Sequence, residues 1–122
     1  MEKVKVLTVR QPFAWLIVAG HKTVEYRTWD TPHRGLLLIH AASRFSLRDD
    51  DLALEQFPHV DIPDVIMTGA ILGMVNVVKV TRANGRYEWH LAEARLAPSP
   101  FPIGGRLGLW SVDAATVKAL GF

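Results

Sequence analysis

Three side chains in this 122-residue chain have the types and spacing to grip an anion: Lys22, Glu25 and Arg27, which with Gly20 make the pattern G-x-K-x-x-E-x-R. The Lys22 ammonium is a compact charge with three rotatable donors, and the planar Arg27 guanidinium can make two parallel hydrogen bonds to one phosphate. Glu25 adds an acceptor for a base edge or a ribose hydroxyl. The same group allows a second chemistry, with Lys22 and Glu25 as general acid and base in cleavage of an RNA backbone by its own ribose hydroxyl. The plainest alternative is that Glu25 and Arg27, two apart on one strand face, pair at a sheet edge and do nothing more.

Other side chains extend or limit these options. Arg34, in the turn Thr31-Pro32-His33, and Arg44, beyond the next apolar run, are expected on the rim of a phosphate-binding cleft. Trp29, beside the charged motif, offers a stacking surface, whereas Trp15, Trp89 and Trp110 lie in periodic apolar contexts and read as core. The five histidines have no pair at a helical or knuckle ligand spacing, so no metal is expected, and no cofactor. His40, within an apolar run, reads as a hydrogen-bonded core residue, and Gly104-Gly105 lacks the lysine and spacing of a phosphate loop.

The flanks of the motif, Gln11-Pro12-Phe13-Ala14-Trp15 before it and Thr31 to Gly35 with Leu38-Ile39-His40 after it, resemble the ASCH family. So do Gly69 to Val80 and the stretch from Trp89 through Pro102 to Gly105, Gly108 and Trp110. That family is named for homology to a transcriptional coactivator and is similar in fold to the PUA domain. The resemblance implies a single ASCH domain over residues 1–122, built as a PUA-like curled or closed β-barrel, with RNA or another nucleic acid in a cleft beside the motif. It also leaves open a small enzyme acting on RNA or a modified nucleoside, and a protein-interaction module of coactivator type. In the amidohydrolase-like branch, the motif lysine is followed three positions later by a threonine nucleophile, and a glutamate from a distant strand assists. Here Lys22 matches, but Glu25 stands at the nucleophile position, the region around Met74 offers no carboxylate, and Thr23 lies at the wrong offset.

Composition sets the limits. Half of the residues (49%) are apolar and 21% charged, the balance of a chain that packs a core, and 122 residues suit one domain. The formal charge is +2 and the pI about 9.2, a weak bias toward anionic partners. Cysteine is absent, which removes disulfides, thiolate metal sites and a cysteine nucleophile, and fits the reducing cytoplasm. With no apolar run of about 20 residues, a soluble, untargeted protein is expected.

These residues need elements to hold them. Val4 to Val9 reads as a strand, Pro12 as the first residue of a short buried helix through Ala19, and Gly20 as its terminator. Lys22 to Trp29 alternates Val24, Tyr26 and Thr28 with Glu25, Arg27 and Trp29, so Glu25 and Arg27 share a strand face. Leu36 to Ala42 is a continuous apolar run, a central strand. Ser46 with Asp49, Asp50 and Asp51 starts a helix reaching about Phe57. Gly69 to Arg82, with a bulge at Gly73, pairs with Tyr87 to Leu96 through an Asn84-Gly85 hairpin. Pro98 to Pro102 does not suit a sheet interior; Arg106 to Val112 is the last strand, and Asp113 caps a helix ending at Gly121. The class expected is α+β with a largely closed sheet.

Overall fold

The computed structural model describes residues 2–44 and 46–122, which form six strands and three short helices. In chain order these are β1 (Lys3–Val9), α1 (Phe13–Val18), β2 (Val24–Arg27), β3 (Gly35–Ala41), α2 (Leu47–Gln56), β4 (Ala70–Ala83), β5 (Arg86–Pro102), β6 (Leu109–Asp113) and α3 (Ala115–Ala119). One sheet takes the order β2-β5-β4-β3-β1-β6, with β1 and β3 parallel and every other pair antiparallel. The continuous apolar run of β3 follows from its position near the middle of the sheet. Leu37 and Ile39 join one buried cluster with Leu7, Val9, Ile17 and Trp89, while Leu38 faces the other way into a cluster with Val6, Ile71, Trp110 and Leu120.

The α+β class matches the expectation; closure of the barrel does not. β2 and β6 are the two edges of the sheet: β2 pairs with β5 and β6 with β1, and among the described residues they do not pair with each other. The sheet is nonetheless strongly curled. β2 and β1 stand four strands apart, a distance of about 19 Å in a flat sheet, yet Arg27 Nη2 donates to Thr8 O at 2.9 Å. Only a sheet rolled toward its Glu25 and Arg27 face brings these two strands within one side chain's reach.

The roll is built into β4 and β5, whose ladder changes register at three places. At Gly73 a methyl group would sit 2.1 Å from the Arg95 carbonyl oxygen, so only glycine allows the two backbones to approach there. Asn84 and Gly85 take φ of 54° and 75°, the two positive values of a type I′ hairpin. Pro98 to Pro102 differs from the sequence expectation: β5 leaves the ladder after Leu96 and resumes it with Phe101 opposite Ile71 and Pro102 opposite Ala70. Pro98 and Pro100 are tolerated because they lie in the part that loops outward, where Ser99 N donates to Leu120 O instead of to a strand. The last strand starts at Leu109 rather than Arg106, after an exposed Leu107 and a Gly108 with φ of 67°.

The helix starts follow their local signals in part: Asp113, expected as the cap of α3, ends β6 and accepts from Ala115 N at 3.2 Å, while the cap position is Ala114. Ser46 Oγ accepts from Asp49 N at 3.4 Å at the start of α2. Pro12 sits at the cap position of α1 rather than inside it, and the buried Gln11 side chain accepts from Trp15 N at 2.9 Å while donating to Met67 O at 2.9 Å. Gln11 thereby ties the helix start to the loop before β4. Among the described residues, no helix is long and apolar enough to cross a membrane.

Candidate ligand-binding cleft

Where the rolled sheet fails to close, a cleft of about 550 Å³ opens between β2 and β1 and is bounded on a third side by α2. The tight turn after α1, where His21 N and Lys22 N both donate to Leu16 O at 2.9 Å, delivers Lys22 to its edge. The pleat of β2 then points Glu25 and Arg27 inward. Glu25 is buried, and each carboxylate oxygen is engaged. Oε1 lies 3.3 Å from Lys22 Nζ, and Oε2 accepts from Arg27 Nη2 at 2.8 Å and Nε at 3.1 Å. Lys22 also donates to Val24 O. Burial pushes the Lys22 ammonium below its ordinary value, and the neighbouring Glu25 carboxylate acts against that shift.

The Glu25–Arg27 pair expected at a sheet edge is therefore present, but it forms the wall of an open cleft. Among the described residues, Arg27 Nη1 has no protein acceptor, since its bonds run through Nε and Nη2 to Glu25 and Thr8. Trp29 is half-buried. Its ring meets Trp89 edge to face at 4.9 Å and 86°, so it belongs to the core on one side and lines the cleft on the other. Trp89 and Trp110 are buried; Trp15 is only partly so and lies against the His21 ring at 5.6 Å.

Arg34 and Arg44 are exposed and do not line the cleft. The Arg34 guanidinium instead donates to Thr31 O at 3.0 Å and His33 O at 2.8 Å within its own turn. The cleft gains its other charges from elsewhere. Arg10 at the end of β1 is exposed and lies 3.5 Å from the carboxylate of Asp49, which is buried at the start of α2. Arg86 arrives from the hairpin, with its guanidinium 4.4 Å from the Tyr26 ring centre; Lys22 Nζ is 5.0 Å from the same ring. Asp49 and Arg86 are far from the motif in sequence, and Arg10 just precedes its flank. Only the hairpin signal at Asn84-Gly85, which sets Arg86 beside β2 through β5, hinted at one of them.

His40 is a fully bonded core residue. Its Nε2 donates to Ile103 O at 2.6 Å, its Nδ1 accepts from the Thr8 hydroxyl at 3.2 Å, and that hydroxyl accepts from Trp110 Nε1 at 3.0 Å. Burial lowers its pKa, against the bond to Ile103. Thr8 thus joins this network through its side chain to the cleft through its carbonyl. A separate hollow of about 410 Å³ on the other side of α2, lined by Pro12, Leu54, Ile62, Val65 and Ile66, has no basic side chain.

Comparison with known proteins identifies relatives of the chain. The family model described as the ASCH domain matches residues 7–118. Human Activating signal cointegrator 1 is 29% identical over 128 residues, an alignment covering 88% of this chain and 22% of that protein. The mouse protein of the same name is 35% identical over 78 residues, covering 59% of this chain and 13% of its own length. The chain therefore spans about a fifth of the curated relatives' length at most. The crystal structure of ASCH from Zymomonas mobilis superposes with a TM-score of 0.63 at 12% identity, over 95% of this chain and 92% of that one, a likeness of fold alone.

Proposed function

The chain belongs to the ASCH domain family, and from that premise we propose that its cleft binds single-stranded RNA or a nucleotide-like ligand, chiefly through phosphate. The observation that carries this reading is the excess of positive charge around the cleft. Four cations (Lys22, Arg27, Arg10 and Arg86) face two carboxylates (Glu25 and Asp49), a net +2 in a hollow of about 550 Å³, within the range of small-ligand sites. Glu25 is an organiser in this scheme. With both oxygens engaged it holds Lys22 and Arg27 at fixed positions, and the free Arg27 Nη1 and the third Lys22 N–H meet the phosphate. Trp29 supplies ring surface for a base. Titration of labelled RNA and DNA oligonucleotides against the protein tests the reading. Binding weakened by Arg27→Ala and by Arg86→Ala supports it, and absence of binding to either nucleic acid at low salt overturns it.

One observation favours a second reading, acid–base catalysis on RNA. The depressed pKa of Lys22 brings its proton closer to exchange near neutrality, as a general acid requires. The commitment of both Glu25 oxygens to cations weakens that residue as the partner base. Incubation with RNA separates the readings: cleavage that disappears in both Lys22→Ala and Glu25→Gln, with the fold intact, establishes catalysis, and cleavage surviving both excludes this site.

A further inference from the structure

The outer side of β2 borders a second hollow of about 480 Å³, and Lys22, Tyr26, Gln56 and Arg86 line both it and the cleft. Its own residues include His21, Thr23 and Phe57, and no carboxylate lines it. Glu25 is kept out by the pleat, which turns Val24 and Tyr26 toward the outer side. Among the described residues Arg86 pairs with no carboxylate, so the hollow has an uncompensated cation at its mouth. Two of its lining residues carry rings on backbone that is hydrogen-bonded in place. His21 is exposed, lies 33° from coplanar with Trp15, and is anchored through its backbone to Leu16 O. Phe57 ends α2 half-buried, with its N–H bonded to Ala53 O at 2.8 Å.

Ring faces for stacking, an amide and a hydroxyl for a base edge, and cations at the boundary are the chemistry that recognises a nucleotide. We infer that this hollow is a second nucleotide subsite, so that the ligand is a single strand of at least two nucleotides, one on each side of Tyr26. The linking phosphate then lies at the boundary, where Lys22 Nζ and the Arg86 guanidinium lie within 5.0 and 4.4 Å of the Tyr26 ring centre. A duplex does not fit this scheme, because its bases are stacked on one another and present no free face to His21 or Phe57. The inference rests on the nucleotide reading of the cleft, and its test separates the two.

The probes are 5′-phosphorylated adenosine mono-, di- and trinucleotides of RNA, titrated by calorimetry and by NMR on the labelled protein. The dinucleotide binds on the order of tenfold or more tighter than the mononucleotide, the gain from one added stacked base. Backbone signals of His21, Thr23 and Phe57 shift with the dinucleotide and stay still with the mononucleotide, and in His21→Ala the affinity ratio collapses toward 1. Silence of those three signals with the dinucleotide overturns the subsite, whatever its affinity, and leaves the cleft reading standing if the mononucleotide binds. Failure of all three probes to bind at low salt overturns both.

Discussion

Replacing Glu25 by Gln removes one negative charge from between two cations while keeping the side chain's shape. The carboxylate accepts two hydrogen bonds from Arg27, at 2.8 and 3.1 Å, and lies 3.3 Å from Lys22, with its own side chain buried. Breaking a buried pair by removing one partner costs ~3–5 kcal/mol. Arg27 is 23% exposed, and the amide oxygen of glutamine still accepts one bond, so a loss of about 2–3 kcal/mol is expected for Glu25→Gln after that discount. At about 3–5 °C per kcal/mol for a chain of this size, the melting temperature falls by about 6–15 °C. Urea unfolding with an unchanged m-value is the direct assay. The double variant with Lys22→Met recovers part of the loss, because it also removes a desolvated cation. A stability change within about 0.5 kcal/mol refutes the reasoning, since that is the behaviour of a solvated surface pair.

Three further outcomes follow from the same geometry. Gly73→Ala forces a methyl group to within 2.1 Å of the Arg95 carbonyl oxygen and lowers stability by about 3 kcal/mol in urea unfolding, the upper end of the usual cost of overpacking because the obstacle is backbone; a loss under about 1 kcal/mol contradicts the close approach of β4 and β5. His40 has a native pKa below its ordinary 6.5, so as the pH falls through about 6.5 the unfolded chain takes up the proton first, and stability declines toward the depressed native value. NMR titration of the His40 ring checks this, and a midpoint at or above 6.5 contradicts it. Arg34→Ala weakens nucleotide binding less than Arg27→Ala does in the same calorimetric titration, because its guanidinium is held by Thr31 O and His33 O away from the cleft; an equal or larger effect places Arg34 at the ligand.

Much of the fold was legible wherever one local signal decided the outcome. The period of two put Glu25 and Arg27 on one face, the uninterrupted apolar run of β3 announced a strand buried on both sides, and Asn84-Gly85 announced its hairpin. The path of β5 through Pro98 to Pro102 was not legible, because proline's exclusion from sheets holds only where the ladder needs its N–H, and the outward loop removes that need. Whether the sheet closes depends on whether its two edge strands, β2 and β6, pair with each other, a contact between segments far apart in sequence that no local residue pattern encodes. The motif located the cleft's Lys22, Glu25 and Arg27, but proximity in sequence suggested Arg34 and Arg44 as its rim. The rim is drawn from the end of β1, the start of α2 and the hairpin, through Arg10, Asp49 and Arg86. Asp49 read as a residue favouring a helix start, and it is that; its burial against Arg10 is a tertiary fact.

The central claim is that a fixed cluster of cations beside Glu25 receives phosphate, and the salt dependence of binding addresses it most directly. Each phosphate contact on a single strand contributes about −0.7 to the slope of log affinity against log salt. With two to four of the cleft's cations engaged, a short single-stranded RNA is expected to show a slope of about −1.5 to −3, made shallower by about 0.7 in Arg27→Ala. A slope near zero, or one that Arg27→Ala leaves unchanged, contradicts the account.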